Sequence, residues 1–401
     1  MNTPKLKQCF WIAAALLVAW ELFLFIFMTI NAPAFKVAVD SDRYLKLASA
    51  LLSQGKFELQ TSGGAFQYEV FRTPGYPLFL AALQGVAKFP LDSIIFVQVL
   101  LTLLATWIVY KIAMQINEKI AYLSTLIVLC DPVSSIISLR LMSETLFLPL
   151  IATFYLCFIR YLKSGKLWLL LLAALMLVAA TYVHAISYYL GVAIAVFMIY
   201  ANIPKDLKKN IIHIMVFLAA VYGLLGLWQL RNYMCCGETA FSSVIQHNFQ
   251  TFGLLKVQFS EGWLSREGIL SLIGRDLYAF ALGCFAHLFR PISFKYFDWE
   301  PLHIVGNVSS YSWSIFCGAG LVAGIFKVRN NLSYQFLLWN IIYFCSAAVL
   351  SAYRMAEARM RMSFLPCVAI LSAYGWFLLW TFVKKKFLMK TKGCLEHPCK
   401  K

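Results

Sequence analysis

The sequence predicts an all-α polytopic membrane protein of about ten transmembrane helices, with amphipathic interfacial helices in two long extracytoplasmic loops. Three observations carry this. The 401 residues are 61% hydrophobic and only 13% charged, against roughly 45–50% apolar and about 25% charged in soluble domains. Apolar runs long enough to span a bilayer recur along the chain, near 9–30, 94–112, 120–138, 141–160, 167–183, 186–202, 211–230, 309–326, 333–351 and 363–383. The basic residues fall between alternate runs.

That alternation sets the orientation. Nineteen Lys and Arg lie in the short segments around Lys5, Lys111, Arg160, Lys205 and Lys327 and in the tail from Lys384, against three acids there, Glu118, Asp206 and Glu396. Basic short loops stay in the cytoplasm. Both termini are therefore expected inside, with residues 1–383 as one membrane domain and 384–401 as a basic cytoplasmic tail. The formal charge of +17 is spread as thin stripes at span ends rather than over one face, which excludes a nucleic-acid partner. The lipid bilayer is the partner that composition demands. An ordinary soluble enzyme, a disordered regulator and a disulfide scaffold are excluded on the same grounds. Residues 9–30 read as a retained span, because no small-residue cleavage site follows them.

Two outer loops, 31–93 and 231–308, hold most of the polypeptide outside the spans, so the working surface is expected on the extracytoplasmic face. In the first, Ser41 or Asp42 can cap a helix of about 12 residues whose Tyr44, Ala48, Leu51 and Leu52 share one face. It is too short to span and is expected at the interface. Arg72-Thr-Pro-Gly-Tyr-Pro77 reads as a rigid turn opening a second short apolar helix. In the second loop, the apolar stretch 277–289 is bounded by Arg275 and Arg290 and is expected to be interfacial rather than spanning.

Few residues in this frame can carry chemistry. Asp40, just outside the first span, can take a proton from an acceptor hydroxyl or can simply help to cap the helix that follows. Glu144, at the outer start of the fourth span, can act as a second acid or can favour the helix dipole. Glu21 sits mid-span and calls for a partner on another helix. Arg72, Arg140, Arg231, Arg354, Arg359 and Arg361 all fall on the outer side. Guanidinium groups bind phosphate bidentately, whether on a substrate or on a headgroup. His184 reads as structural. Cys394 and Cys399 around Glu396 and His397 allow a metal but fit an inert tail as well. Walker, HExxH and GxSxG patterns are absent from the sequence, so soluble nucleotide chemistry and zinc hydrolysis have no support. Lone carboxylates define no metal site and no cofactor.

Taken in order, these passages resemble the GT-C membrane glycosyltransferases, in the branch of the protein O-mannosyltransferases and the lipid A aminoarabinose transferase. The likeness rests on Asp40-Ser-Asp-Arg-Tyr-Leu-Lys-Leu-Ala48, Arg72-Thr-Pro-Gly-Tyr-Pro-Leu-Phe-Leu-Ala81, Leu141-Met-Ser-Glu-Thr-Leu-Phe147, Trp228-Gln-Leu-Arg-Asn-Tyr233 and Ala358-Arg-Met-Arg-Met-Ser-Phe-Leu-Pro366. The resemblance implies a glycosyltransferase of hexosyl or pentosyl type. It would take a sugar from a polyprenyl-phosphate carrier to a hydroxyl acceptor (glycolipid, polysaccharide or protein) by a single inverting displacement. It implies Asp40 as catalytic base, Glu144 as the assisting acid, and Arg231, Arg359, Arg361 and Arg72 as ligands of the donor phosphate. A bacterial inner membrane is the expected setting. His184 departs from the Arg-Pro common after the fifth span, and Leu227 stands where Pro is common. Both departures bear on the acceptor. The competing expectation is a polyprenol-linked sugar transporter or flippase, which would use the arginines but no catalytic acid. The short cytoplasmic loops and lack of a visible repeat count against it.

Overall fold

The computed structural model describes residues 4–60, 64–244, 247, 283–284, 300–352 and 358–396. Each of the ten apolar runs falls on helix. The elements are α1 (Pro4–Asn31), α2 (Val39–Gln54), β1 (Glu58–Gln60), β2 (Phe66–Tyr68), α3 (Gly75–Ala81), α4 (Leu91–Ile116), α5 (Glu118–Leu129), α6 (Pro132–Ser138) and α7 (Glu144–Ser164). They continue as α8 (Leu167–Val183), α9 (Leu190–Ala201), α10 (Leu207–Cys236), α11 (Glu300–Ile325), α12 (Leu332–Ala352) and α13 (Leu365–Glu396), with a 3₁₀ segment at Ala358–Ser363 before the last. The expected interfacial stretch 277–289, apart from 283–284, lies outside the described residues, as do Arg354, His397, Cys399 and the side chains of Cys394 and Glu396.

Seven of these helices, α1, α4, α7, α10, α11, α12 and α13, are long and apolar enough to cross a membrane. The chain is an integral membrane protein. The other runs show why a count of ten is not reproduced by length alone. The run at 120–138 is two helices, α5 and α6, meeting at 53°. Asp131 there caps α6, accepting from the Ser134 N–H at 3.1 Å, and Pro132 opens the new helix. α8 and α9 stop short on either side of His184, where the chain turns.

α7 is the hub. Phe147, Phe154, Tyr155, Phe158 and Tyr161 on it are fully buried, and Phe158 stacks on Phe336 of α12 with centroids 4.5 Å apart. α4 and α8 pack along it, while α11 lies along α13. At that last crossing the backbones touch: a Cβ on Gly375 would sit 1.8 Å from the Gly320 carbonyl oxygen and 2.6 Å from the Gly324 nitrogen. Small residues allow such approach in membrane bundles. Gly375→Ala is therefore expected to part α11 from α13 and to lower stability by about 1–3 kcal/mol. Thermal unfolding in detergent checks this.

The stretch between α1 and α4 folds onto one end of the bundle. α2 is amphipathic as expected, with one difference. Its buried face is Tyr44, Leu47 and Ala48, and Leu52 is 49% exposed, because at roughly 100° per residue Leu52 stands about 80° round the helix from Tyr44, at the edge of that face. The helix also starts earlier than the sequence suggested. Ser41 does not occupy the N-cap. It sits in the first turn and accepts the Ala38 N–H at 2.8 Å, while its hydroxyl donates to the Leu141 carbonyl at 2.8 Å. The polar stretch after α2 adds a feature that a purely helical expectation lacked. β1 and β2 pair antiparallel, Glu58 opposite Tyr68 and Gln60 opposite Phe66. The turn at Arg72–Pro77 is pinned to the end of α8: Thr73 Oγ1 donates to the Val183 carbonyl at 2.9 Å. A Cβ on Gly75 would lie 2.7 Å from the Tyr182 carbonyl, so only glycine allows α3 to begin there.

Candidate functional site

The segments gathered at that end are the start of α2, the turn at Arg72, the start of α7, the break at His184, the end of α12 and the 3₁₀ segment 358–363. Every one belongs to a loop that the charge pattern placed on the outer side. Between them is a cavity of about 360 Å³.

Four of the six residues expected at the site line it: Asp40, Arg72, Glu144 and Arg359. Asp40, in the first turn of α2, does not cap the helix; both of its oxygens are taken by arginines. Oδ1 pairs with Arg72 Nη2, and Oδ2 accepts from Arg359 Nη1 at 2.9 Å. Arg359 Nη1 also lies 3.6 Å from Glu144 Oε1. Arg72 Nη1 donates to the Tyr44 hydroxyl at 3.4 Å, Tyr44 donates to Ser143 Oγ at 3.3 Å, and Ser143 donates to Glu144 Oε2 at 3.2 Å. The polar groups thus close a ring of two carboxylates, two guanidiniums and two hydroxyls. The formal charges balance.

Burial works to raise the Asp40 pKa, but Arg72 and Arg359 outweigh it and hold the carboxyl below its usual range. Burial dominates at Tyr44, whose phenol is pushed above its usual range despite Arg72 beside it. Tyr44 is therefore a neutral hydroxyl that bridges the two halves of the ring.

Arg72 is placed by a residue that the sequence reading passed over. Glu69 Oε1 accepts the backbone N–H groups of Phe71 and Arg72, at 2.6 and 3.1 Å, and Glu69 Oε2 is held by Arg43 Nη2 at 2.7 Å. The buried acid fixes the turn and so the direction of the arginine. Its only sequence signal is a lone Glu three residues before an Arg. Tyr44 and Ser143 were visible inside the motifs, but nothing in the sequence distinguished them from packing residues. His184, expected to be structural, does cap the turn after α8, accepting the Ile186 N–H at 3.3 Å; it also lines the cavity.

Arg231 and Arg361 are not brought to this cavity. Arg231 fastens the β-hairpin, donating to the carbonyls of Glu69 and Phe57 at 3.1 Å each and lying over Trp228, 4.8 Å from the ring centroid. Arg361 is fully buried and points the other way, its Nη2 2.6 Å from Asp131 Oδ1 and its guanidinium 4.0 Å over the Trp313 ring. Glu21 has the partner that its mid-span position called for: Ser135 of α6 donates to it. Among the described residues no group of three or more His, Cys, Asp or Glu side chains is arranged to hold a metal ion.

The remaining wall of the cavity is apolar, with Val183, Ile186, Tyr343 and Leu350. A charged ring at one side and an apolar wall at the other suits an amphiphile whose phosphate meets arginines while its hydrocarbon stays among apolar side chains.

Comparison with known proteins agrees with this architecture. Residues 72–228 match the family model of dolichyl-phosphate-mannose-protein mannosyltransferases. A search of curated proteins finds no match. Among solved structures, the chain is similar to the oligosaccharyltransferase of Archaeoglobus fulgidus in its apo form, with a TM-score of 0.56 at 12% identity, covering 94% of this chain and 51% of that one. It is similar to the archaeal oligosaccharyltransferase AglB from Archaeoglobus fulgidus in complex with an inhibitory peptide and a dolichol-phosphate, with a TM-score of 0.50 at 14% identity, covering 90% and 48%. ArnT from Cupriavidus metallidurans, bound to undecaprenyl phosphate, gives a TM-score of 0.51 at 12% identity, covering 90% and 59%. The chain has the GT-C fold shared by these glycosyltransferases. It spans about half to six tenths of the length of the structures it matches.

Proposed function

We propose that this GT-C-fold membrane protein is a glycosyltransferase that moves a sugar from a polyprenyl-phosphate carrier to a hydroxyl acceptor on the extracytoplasmic face. The observation that carries the reading is the ring at the cavity: Asp40 pairs with Arg72 and Arg359, and Glu144, from a segment about a hundred residues away, shares Arg359 with it beside an apolar wall. The lipid phosphates in the structures of AglB and ArnT support the donor class, and the family matched over 72–228 supports a sugar.

The chemistry is a single displacement. The acceptor hydroxyl oxygen bonds to the anomeric carbon as the bond from that carbon to the phosphate oxygen breaks. The hydroxyl proton passes to Asp40, and the carrier leaves as polyprenyl phosphate with inversion at the sugar carbon. A phosphodiester donor carries one negative charge and the departing phosphate gains another. Arg72 and Arg359 therefore bind the transition state more tightly than the ground state, which is the condition for catalysis. Both guanidiniums rest on Asp40. A donor phosphate competes for them, and Asp40 gains freedom as it loses these partners. Glu144, 4% exposed, lies 3.6 Å from the same Arg359 nitrogen that meets Asp40 and so helps to hold it at the cavity.

The test supplies the reconstituted protein with a panel of polyprenyl-phosphate-linked sugars and a crude acceptor extract. Release of polyprenyl phosphate with sugar appearing on acceptor supports the reading. Labelled lipid crossing the bilayer with no donor consumed overturns it in favour of a transporter. The sign of the pH dependence follows from the ring. Asp40 is the base only when ionised, and Arg72 and Arg359 keep it ionised as pH falls. The acid limb of kcat/KM is expected below the usual Asp range of about pH 4. Rates measured from pH 3 to 8 check this.

A further inference from the structure

Arg361 was expected to meet the donor phosphate and instead sits inside the bundle. Its surroundings give it another use. Arg359 and Arg361 lie two residues apart on the 3₁₀ segment 358–363. With three residues per turn, such neighbours project in widely different directions. One reaches the cavity, where it bridges Asp40 and Glu144. The other is driven into the bundle onto Asp131, and both partners there are at most 1% exposed.

Asp131 in turn is the cap of α6, with Oδ2 on the Ser134 N–H and Oδ1 on Arg361. α6 leads through Leu139–Ser143 directly into α7 and Glu144. The same connection touches the segment bearing Asp40, since Leu141 donates its N–H to the Lys36 carbonyl at 3.0 Å and accepts the Ser41 hydroxyl at 2.8 Å. Trp313 of α11 closes the back of the pair: its ring lies under the guanidinium, and its Nε1 donates to the Ile127 carbonyl at 2.8 Å. A buried pair of this kind contributes little net stability compared with apolar packing, and its best-attested value is to fix one arrangement.

We propose that the Asp131–Arg361 pair is a buried strut that positions Arg359 against Asp40 and Glu144, so that both are positioning residues for the transfer. The consequence for catalysis rests on the function proposed above; the geometry does not.

The test uses Asp131→Asn with Arg361→Gln together. The double change removes the pair as a neutral unit, keeps an acceptor for the Ser134 N–H and avoids stranding one buried charge. The first readout needs no substrate: titration of the Asp40 carboxyl by isotope-edited infrared spectroscopy, assigned by its loss in Asp40→Asn. The groups facing Asp40 are Arg72 from the turn, Tyr44 from α2, Ser143 and Glu144 from α7, His184 from the break before α9, and Arg359. Of these, Arg359 shares the 3₁₀ segment of Arg361, while Ser143 and Glu144 follow the α6 helix that Asp131 caps and keeps capped as Asn. The double variant is expected to titrate higher than wild type, in the direction and by about the amount seen for Arg359→Gln. Asp131→Glu, which keeps the charge, is expected to stay near wild type. An Asp40 titration that is unchanged in a folded double variant overturns the strut.

The second readout is binding of polyprenyl phosphate. Wild type is expected to bind it and the double variant to bind about tenfold more weakly, or ~1.4 kcal/mol. Undiminished binding by the double variant also overturns the strut. Failure of wild type to bind overturns the proposed function alone, since the titration has already decided the strut. If the double variant fails to fold, Arg361→Lys takes its place, with the same two outcomes read as a smaller rise or none.

Discussion

Asp40→Asn is expected to lower transfer by about 10²- to 10⁴-fold, the usual worth of a positioned general base. The asparagine keeps the size and one hydrogen-bonding oxygen for Arg72 or Arg359, so binding of the carrier should survive. Loss of the negative charge leaves two guanidiniums with less to hold, and polyprenyl phosphate is expected to bind at least as tightly as in wild type. This separation of chemistry from binding distinguishes the readings. A transporter would keep moving lipid with Asn at this position, and a scaffold would keep its partners. Initial rates of polyprenyl phosphate release in proteoliposomes, beside an equilibrium binding assay on the same preparation, check it. A residual rate within threefold of wild type would remove Asp40 from the chemistry.

The second large effect is expected from the arginines. Arg72→Gln or Arg359→Gln each removes a charged donor from the phosphate of the leaving group, a loss of about 10²- to 10³-fold in kcat where such donors act in the transition state. The double substitution should cost less than the product of the two, because the residues share one ligand and one carboxylate. Donor KM should rise as well, since the same groups hold the phosphate before reaction. Steady-state kinetics at varied donor concentration separates the two components. Arg231→Gln provides the contrast: that residue holds a hairpin, so its loss is expected to appear in thermal stability first.

The helices were legible because apolar length is read directly from sequence, and lipid leaves the backbone few alternatives. The bend between α5 and α6 was also written there, in Cys130-Asp131-Pro132. An Asp followed by Pro stops one helix and starts another, yet the unbroken hydropathy on either side masked it. α2 is legible in the sequence, but its start lies one turn earlier than Ser41 or Asp42 as a cap would put it. Its start depends on Ser41 bonding backward to Ala38 and across to Leu141, a contact between residues a hundred positions apart. The site divides in the same way. Asp40 and Glu144 were found through motifs. Which arginine faces which acid was not legible, because Arg359 and Arg361 are identical in type and only two positions apart. Only the 3₁₀ geometry and the buried Asp131 send one to the cavity and the other to the core. Arg231 reads as an exposed cation beside a span, and its use on the carbonyls of Phe57 and Glu69 appears only once the hairpin is formed.

The central claim is that the cavity ringed by Asp40, Arg72, Glu144 and Arg359 is where the carrier phosphate sits. Determining the structure of the protein with polyprenyl phosphate bound tests it most directly. The account predicts the phosphate within hydrogen-bond distance of Arg72 and Arg359, the chain of the lipid along Val183, Ile186, Tyr343 and Leu350, and Asp40 released from at least one guanidinium. A phosphate seated on Arg231, or at the opposite, Lys-rich end of the bundle with the Asp40–arginine ring undisturbed, would contradict it.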